Sequence, residues 1–125
     1  MTGDAREKGM LYEDAAALFL EREGLQILKR NFRCRFGEID IIARERDTLV
    51  FTEVKFRKSV RTGSPLEAVG FQKQRKILKT ALFYMTVNGL NTERPLRFDV
   101  VGIDDAGNVT HVRNAFEFSP GDHIL

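Results

Sequence analysis

The sequence predicts an α/β domain, a single mixed β-sheet with helices on both faces. Three observations carry that expectation. Apolar residues recur at helical spacing in two stretches and alternate or cluster in five shorter ones, in the order helix, three strands, helix, two strands. Only a few residues separate the second strand from the third, so these two form an antiparallel hairpin. A long helix separates the third strand from the fourth, and such a strand–helix–strand segment, Leu49 to Ile103, sets its strands parallel through a right-handed crossover.

The first helix is expected from Met10 to Glu23, or from as early as Asp4, with Leu11, Ala15, Leu18 and Phe19 on one stripe and Gly24 as its stop. Leu25 to Phe32 alternates weakly and reads as the first strand. Ile39 to Arg44 and Thr48 to Phe56, rich in Ile, Val, Thr and Phe, are the second and third. "SPLE", residues 64–67, has the form of a helix start, with Ser64 as N-cap, Pro65 in the first turn and Glu67 completing a capping box. Gly70 interrupts that helix. A longer one then runs to about Val87, turning Ile77, Leu78, Ala81, Leu82 and Tyr84 inward and ending at Asn88-Gly89. Leu96 to Ile103 and Val109 to Arg113 are the last two strands, joined by a turn at Asp105 to Asn108. The tail packs Phe116 and Phe118 and frays over 117–125.

Composition narrows the class. A chain of 125 residues is expected to form one domain, 1–125, and to bury about two-thirds of the surface its unfolded form exposes. With 42% apolar residues, disorder of the whole chain is excluded. No apolar run approaches the roughly 20 residues that span a bilayer, and MTGDAREKGM lacks the apolar stretch of a signal peptide. The single cysteine, Cys34, excludes an internal disulfide and a cysteine-based zinc cluster. The expectation is a cytoplasmic protein without a membrane partner. A net charge of +2 says little, but "KFRKSVR" and "QKQRKILK" concentrate positive charge as a polyanion site would, or as solvated surface would.

The residues that point to chemistry lie in "GEIDIIARERDTLVFTEVKFR", 37–57. Regular alternation puts Glu38, Asp40 and Ile42 on one face of the second strand, and Phe51, Glu53, Lys55 and Arg57 on one face of the third. A symmetric hairpin centred between Arg46 and Asp47, with a loop of two or four residues, pairs Ile42 with Phe51 and so sets Asp40 opposite Glu53 and Glu38 opposite Lys55; an odd-length loop would shift this register by one residue. This is either the wet side of a hairpin or a site. Like charges across a strand pair destabilise it, and a divalent cation between Asp40 and Glu53 would remove the repulsion. Mg²⁺ takes one or two carboxylates. In phosphodiester hydrolysis the neighbouring Lys55 would orient or help deprotonate the attacking water, or stabilise charge on the phosphoryl oxygens.

An Asp on one strand followed by Glu-x-Lys on the next, after a helix bearing a Glu, resembles the PD-(D/E)xK nuclease superfamily. In place of that motif's proline, Ile39 precedes Asp40. "GEIDIIARERDTLVFTEVKFR", "GSPLEAV", Lys73 and "RFDVVGI" resemble, in the same order, the YraN-type family of small bacterial proteins. The resemblance implies a restriction-endonuclease-like αβββαβ core, similar in layout to Holliday-junction resolvases. It also implies Asp40 and Glu53 as ligands of Mg²⁺ or Mn²⁺, the Val54 carbonyl as a third ligand, Lys55 as the catalytic lysine and Glu13 as the first-helix glutamate that supports the metal.

The expected activity is therefore a metal-dependent nuclease acting on DNA, branched or structured forms included. The alternative is a nucleic-acid-binding module with the nuclease fold and little turnover; a metal-stabilised scaffold for protein partners is a third class. Arg57, Lys58, Arg61, Lys73 and Lys76 would line the approach for phosphates. The sequence leaves DNA versus RNA, and monomer versus homodimer, open.

Overall fold

The computed structural model describes residues 5–57, 70–91 and 93–116. The elements are α1 (Ala5–Arg22), β1 (Gln26–Cys34), β2 (Gly37–Glu45), β3 (Thr48–Arg57), α2 (Phe71–Val87), β4 (Leu96–Asp104) and β5 (Val109–Phe116). One sheet holds the strands in the order β1-β2-β3-β4-β5. The β3–β4 ladder is parallel, from Leu49↔Leu96 to Arg57↔Asp104, and the other three are antiparallel. The α2 crossover links the two parallel strands, and this is the mixed sheet that the sequence predicts.

β3 and β4 are the buried centre and carry apolar residues on both faces, as parallel strands covered twice must. On one face Ile42, Leu49, Phe51, Phe98 and Val100 pack under Ile77, Ala81 and Met85 of α2. On the other, Ile41, Ala43, Val50, Val101 and Ile103 pack under Ala16, Ala17 and Leu20 of α1. The order and layers are those of a restriction-endonuclease-like αβββαβ core with a fifth strand added. Among the described residues no helix is long and apolar enough to cross a membrane.

Both helices end alike. Gly24 (φ +96) and Gly89 (φ +66) adopt left-handed backbone, which lets Leu25 N–H bond Leu20 C=O at 3.0 Å and Leu90 N–H bond Met85 C=O at 2.8 Å. These are the six-to-one bonds of glycine-terminated helices. The start of α2 is less well provided: Gly70 is its N-cap, without a side-chain hydrogen bond. The Ser64–Glu67 start, and Phe118, lie outside the described residues. A second close fit is at Gly37 (φ +151), where a Cβ would stand 3.2 Å from Thr80 Oγ1.

Of the apolar stripe expected on α1, Phe19 packs against the core, but Leu11, Ala15 and Leu18 do not. Leu11 is 66% and Leu18 48% exposed, while Ala16, Ala17 and Leu20 are buried. Both stripes have helical spacing. The one that docks is the one whose small residues let α1 lie close on the sheet, and it carries Glu13 toward β1 and β2.

At the far end of the sheet Asp99 is fully buried. It accepts hydrogen bonds from Arg97 Nε (3.0 Å) and Asn114 N–H (2.9 Å), and His111 Nε2 lies 2.8 Å from it. Burial alone would raise its pKa, but the His111, Arg97 and Asn114 hydrogen bonds outweigh it and hold the carboxyl below the ordinary range. Asp99 thus ties β5 to β4 and belongs to the frame.

Candidate functional site

The sheet is split at the place where the acidic residues lie. β2 and β3 pair from Glu45↔Thr48 to Ile41↔Thr52, with Ile42 opposite Phe51 as the hairpin register requires. Beyond that point β2 continues to Gly37 against β1, and β3 continues to Arg57 against β4. Asp40 stands at the opening. Its Oδ2 accepts a hydrogen bond from Val54 N–H at 2.8 Å, in place of a backbone carbonyl of the missing ladder. A strand residue's N–H and C=O project to the same edge, so the Val54 carbonyl faces the split as well.

Regular alternation fails here. Ile41 packs on the α1 side of the sheet and Ile39, two residues earlier, on the α2 side. Asp40 and Glu38 consequently line a cleft on the α1 side, together with Glu13, Asn31, Val54 and Phe56. The expectation that Glu38, Asp40 and Ile42 share one face is corrected for Glu38 and Asp40, while Ile42 keeps its expected place beside Phe51. Ile42 lies under α2. Glu38 pairs with Arg33 at 3.0 Å rather than with Lys55. The cause is a twist shared by two strands: in β1, Arg30 reaches Glu13 on the α1 side, Phe32 packs on the α2 side, and Asn31 between them has φ +54. Asn tolerates this backbone better than most residues.

The two carboxylates meet nevertheless, because a split sheet is open to both sides. Glu53 is buried. Asp40 is raised from 3.8 to about 7, first by burial and then by the charge of Glu53, against the lowering effect of the Val54 N–H. Glu13 and a hydrogen bond with Glu53 add to the upward shift. Asp40 is therefore an acid whose ionisation the site resists.

Glu53 is countered by two cations. Lys55 Nζ lies 3.1 Å from its Oε2, and Lys73 Nζ of α2 contacts the same oxygen. Burial, and then the neighbouring Lys73, lower the Lys55 pKa. Burial would also lower that of Lys73, but its hydrogen bonds to Glu53 and to Lys55 outweigh it and the net shift is upward. Two ammonium groups thus share one carboxylate, and Lys55 is the one that gives up its proton more readily.

Glu13 sits near this centre but is held by others. Its Oε1 accepts from Asn31 Nδ2 at 2.7 Å and from Arg30 Nε and Nη2 at 3.3 and 3.2 Å. Its charge still contributes to the raised Asp40 pKa. Arg30 and Asn31 were not legible as site residues. The one signal for them is an Asn inside an apolar-polar strand, a residue that marks irregular backbone. Of the basic residues, Lys73 is part of the centre itself. Arg57 closes β3 with Nη1 on the Phe56 carbonyl at 2.9 Å. Lys76 lies exposed one turn after Lys73 on α2. Lys58 and Arg61 fall outside the described residues.

Residues 12–103, which span every one of these groups except the tail strand, match the uncharacterised protein family UPF0102. A UPF0102 protein of Lachnoclostridium phytofermentans is 49% identical over 110 residues, 88% of this chain and 92% of that one. Another, of Syntrophus aciditrophicus, is 47% identical over 116 residues, 90% of this chain and 91% of that one. Among solved structures, Pyrococcus furiosus SfsA in complex with Ca²⁺ aligns at a TM-score of 0.27 and 16% identity, over 92% of this chain and 66% of that one. That likeness is too slight to carry an argument. At nearly half identity over nearly the whole length of both partners, the chain belongs to the UPF0102 family, the YraN-type family whose motifs its sequence resembles.

Proposed function

We propose that this protein is a divalent-metal-dependent nuclease that hydrolyses phosphodiester bonds in DNA, branched or structured DNA included. The observation that carries the reading is the meeting of Asp40 and Glu53 at the split, with Lys55 on Glu53. A half-buried acid forced against a buried one costs stability, and a hard cation relieves that cost. Among the described residues no group of three or more His, Cys, Asp or Glu could hold a metal. Two carboxylates and the Val54 carbonyl nevertheless fit Mg²⁺ or Mn²⁺, which keep waters and phosphate oxygens in their remaining positions. The acid-rich, sulfur-free donor set favours these ions over zinc.

When bound, such an ion would supply Lewis-acid polarisation of the phosphodiester and a nucleophile from water. The chain's own residues do the rest. Asp40 and Glu53 position the donors, the Val54 N–H fixes the Asp40 carboxylate, and Lys55 Nζ holds or takes up a proton beside the reacting phosphate. Lys73 lowers the Lys55 pKa and so makes that proton easier to move.

A second reading has an observation of its own. Glu53 is already neutralised by two lysines, as suits a nucleic-acid-binding module that keeps the nuclease fold without turnover. A cleavage panel of linear, flapped and four-way-junction DNA, with Mg²⁺, Mn²⁺ or chelator, separates the two. The nuclease reading expects ion-dependent cuts that Lys55→Ala loses while still binding ion and DNA. Glu53→Ala should lose ion dependence and cleavage together. Binding without cleavage of any substrate would leave the module reading standing.

A further inference from the structure

The cleft on the α1 side of Asp40 has a lining that the metal chemistry does not use. Tyr12 of α1 and Phe56 of β3 stack at its wall, ring centroids 4.3 Å apart and 17° from parallel. Phe56 remains 38% exposed although it belongs to a strand at the centre of the sheet. Apolar rings at such positions are ordinarily covered. Here they are stacked on one another, and the pair borders the open cleft that Val54 and Asp40 also line. The cleft measures about 610 Å³, within the roughly 300–1,000 Å³ of pockets that hold small organic groups.

Three of its charged groups are paired. Glu38 is bound to Arg33, and Glu13 to Arg30 and Asn31. Among the described residues Arg33 is the one lysine or arginine lining it, and it is engaged by Glu38. The described lining offers the stacked ring pair together with polar groups: the Glu38 carboxylate, the Arg33 guanidinium and the Asn31 amide. A neutral, planar, heteroaromatic ring satisfies all of these. Aromatic platforms of this kind bind nucleobases irrespective of sequence, because each base has a π-face. A base inside a duplex is stacked on its neighbours and paired, and could enter only after being unstacked.

We propose that this cleft is a subsite for an unpaired nucleobase adjoining the phosphate held at Asp40, with Phe56 and Tyr12 as its stacking platform and Asn31, Arg33 and Glu38 at the base edge. The inference rests on the nuclease reading for the place of that phosphate. It names the substrate feature the protein selects: a single-stranded nucleotide at a flap, gap or branch rather than continuous duplex.

Fluorescence anisotropy with labelled DNA tests it without requiring turnover. The probes are a 12-nucleotide single strand, the matching blunt duplex, and a duplex carrying a single-stranded flap, each with parent protein, Phe56→Ala and Phe56→Tyr in chelator. Phe56 is exposed, so the variants should fold, and unchanged thermal melts check this. The parent should prefer strand and flap over blunt duplex. Phe56→Ala should lose about tenfold in affinity for strand and flap, in line with the worth of one stacked base, and nothing for duplex. Phe56→Tyr should restore the loss. Equal losses on all three probes, no loss on any, or no binding to any overturns the proposal. A free nucleoside monophosphate that competes as strongly as the strand would make the cleft a nucleotide pocket, and also overturns it. The nuclease reading fails separately. A flap preference that depends on Phe56, in a protein that cleaves nothing, leaves the subsite and removes the enzyme; ion-dependent cleavage of blunt duplex, unaffected by Phe56→Ala, does the reverse.

Discussion

Asp40 carries an electrostatic conflict that only its surroundings create. Burial and Glu53 raise its pKa from 3.8 to about 7, so the folded chain binds this proton more tightly than the unfolded chain does. Its effect on stability has a definite sign: with no ion bound, stability falls as pH rises from the ordinary carboxylate value toward about 7, and levels off above it. Asp99 works in the opposite sense. Its pKa is lowered, so its contribution is present above the ordinary carboxylate value and disappears as pH falls through the folded one. Urea midpoints between pH 5 and 8 should therefore decline in the parent, and Asp40→Asn should remove most of that decline. A midpoint that rises across this range in the parent and not in Asp40→Asn would mean that Asp40 is stabilised as the anion. The residue types of this centre were legible from Asp40, Glu53 and Lys55 in sequence. Its arrangement was not, because alternation assumes a regular strand and both β1 and β2 turn over at Asn31 and Asp40.

At the level of elements, the strands and the second helix could be read almost to their ends, since each combines apolar periodicity with glycine or a short turn at its limits. The hairpin register is the one expected for a loop of even length, and the turn is in fact two residues long, Arg46-Asp47. α1 shows where reading stops. Leu11, Ala15 and Leu18 make as good a stripe as Ala16, Ala17 and Leu20, and hydrophobicity favours the wrong one. Close approach to the sheet decides the matter, and that is a property of the partner surface rather than of the helix. Leu20→Ala should cost about 2–5 kcal/mol, as large-to-small changes in a packed core do. Leu18→Gln should stay within about 0.5 kcal/mol, the range of surface substitutions. Chemical denaturation of the two variants checks the assignment of faces; the reverse ranking would mean that α1 is rotated.

Over the whole molecule, the split between β2 and β3 couples the fold to its proposed use. The sheet gives up ladder hydrogen bonds there, and Asp40 replaces one of them while gathering charge that folding alone would avoid. Lys73 and Lys76 stand near the start of α2, and Arg57 ends β3. If Arg57, Lys73 and Lys76 meet phosphates, log affinity for DNA should fall with log salt, and Lys76→Glu should reduce the slope by roughly 0.9. A slope unchanged by that substitution removes Lys76 from the contact surface. The central claim is that Asp40 and Glu53 together form a divalent-ion site, and the thermal melt with and without Mn²⁺ tests it most directly. An ion that binds only the folded chain at a hundred times its dissociation constant adds about 2.7 kcal/mol. The parent's melting temperature should rise by several degrees, and Asp40→Asn and Glu53→Gln should each abolish that rise. An equal rise in both variants, or no rise in the parent, would contradict it.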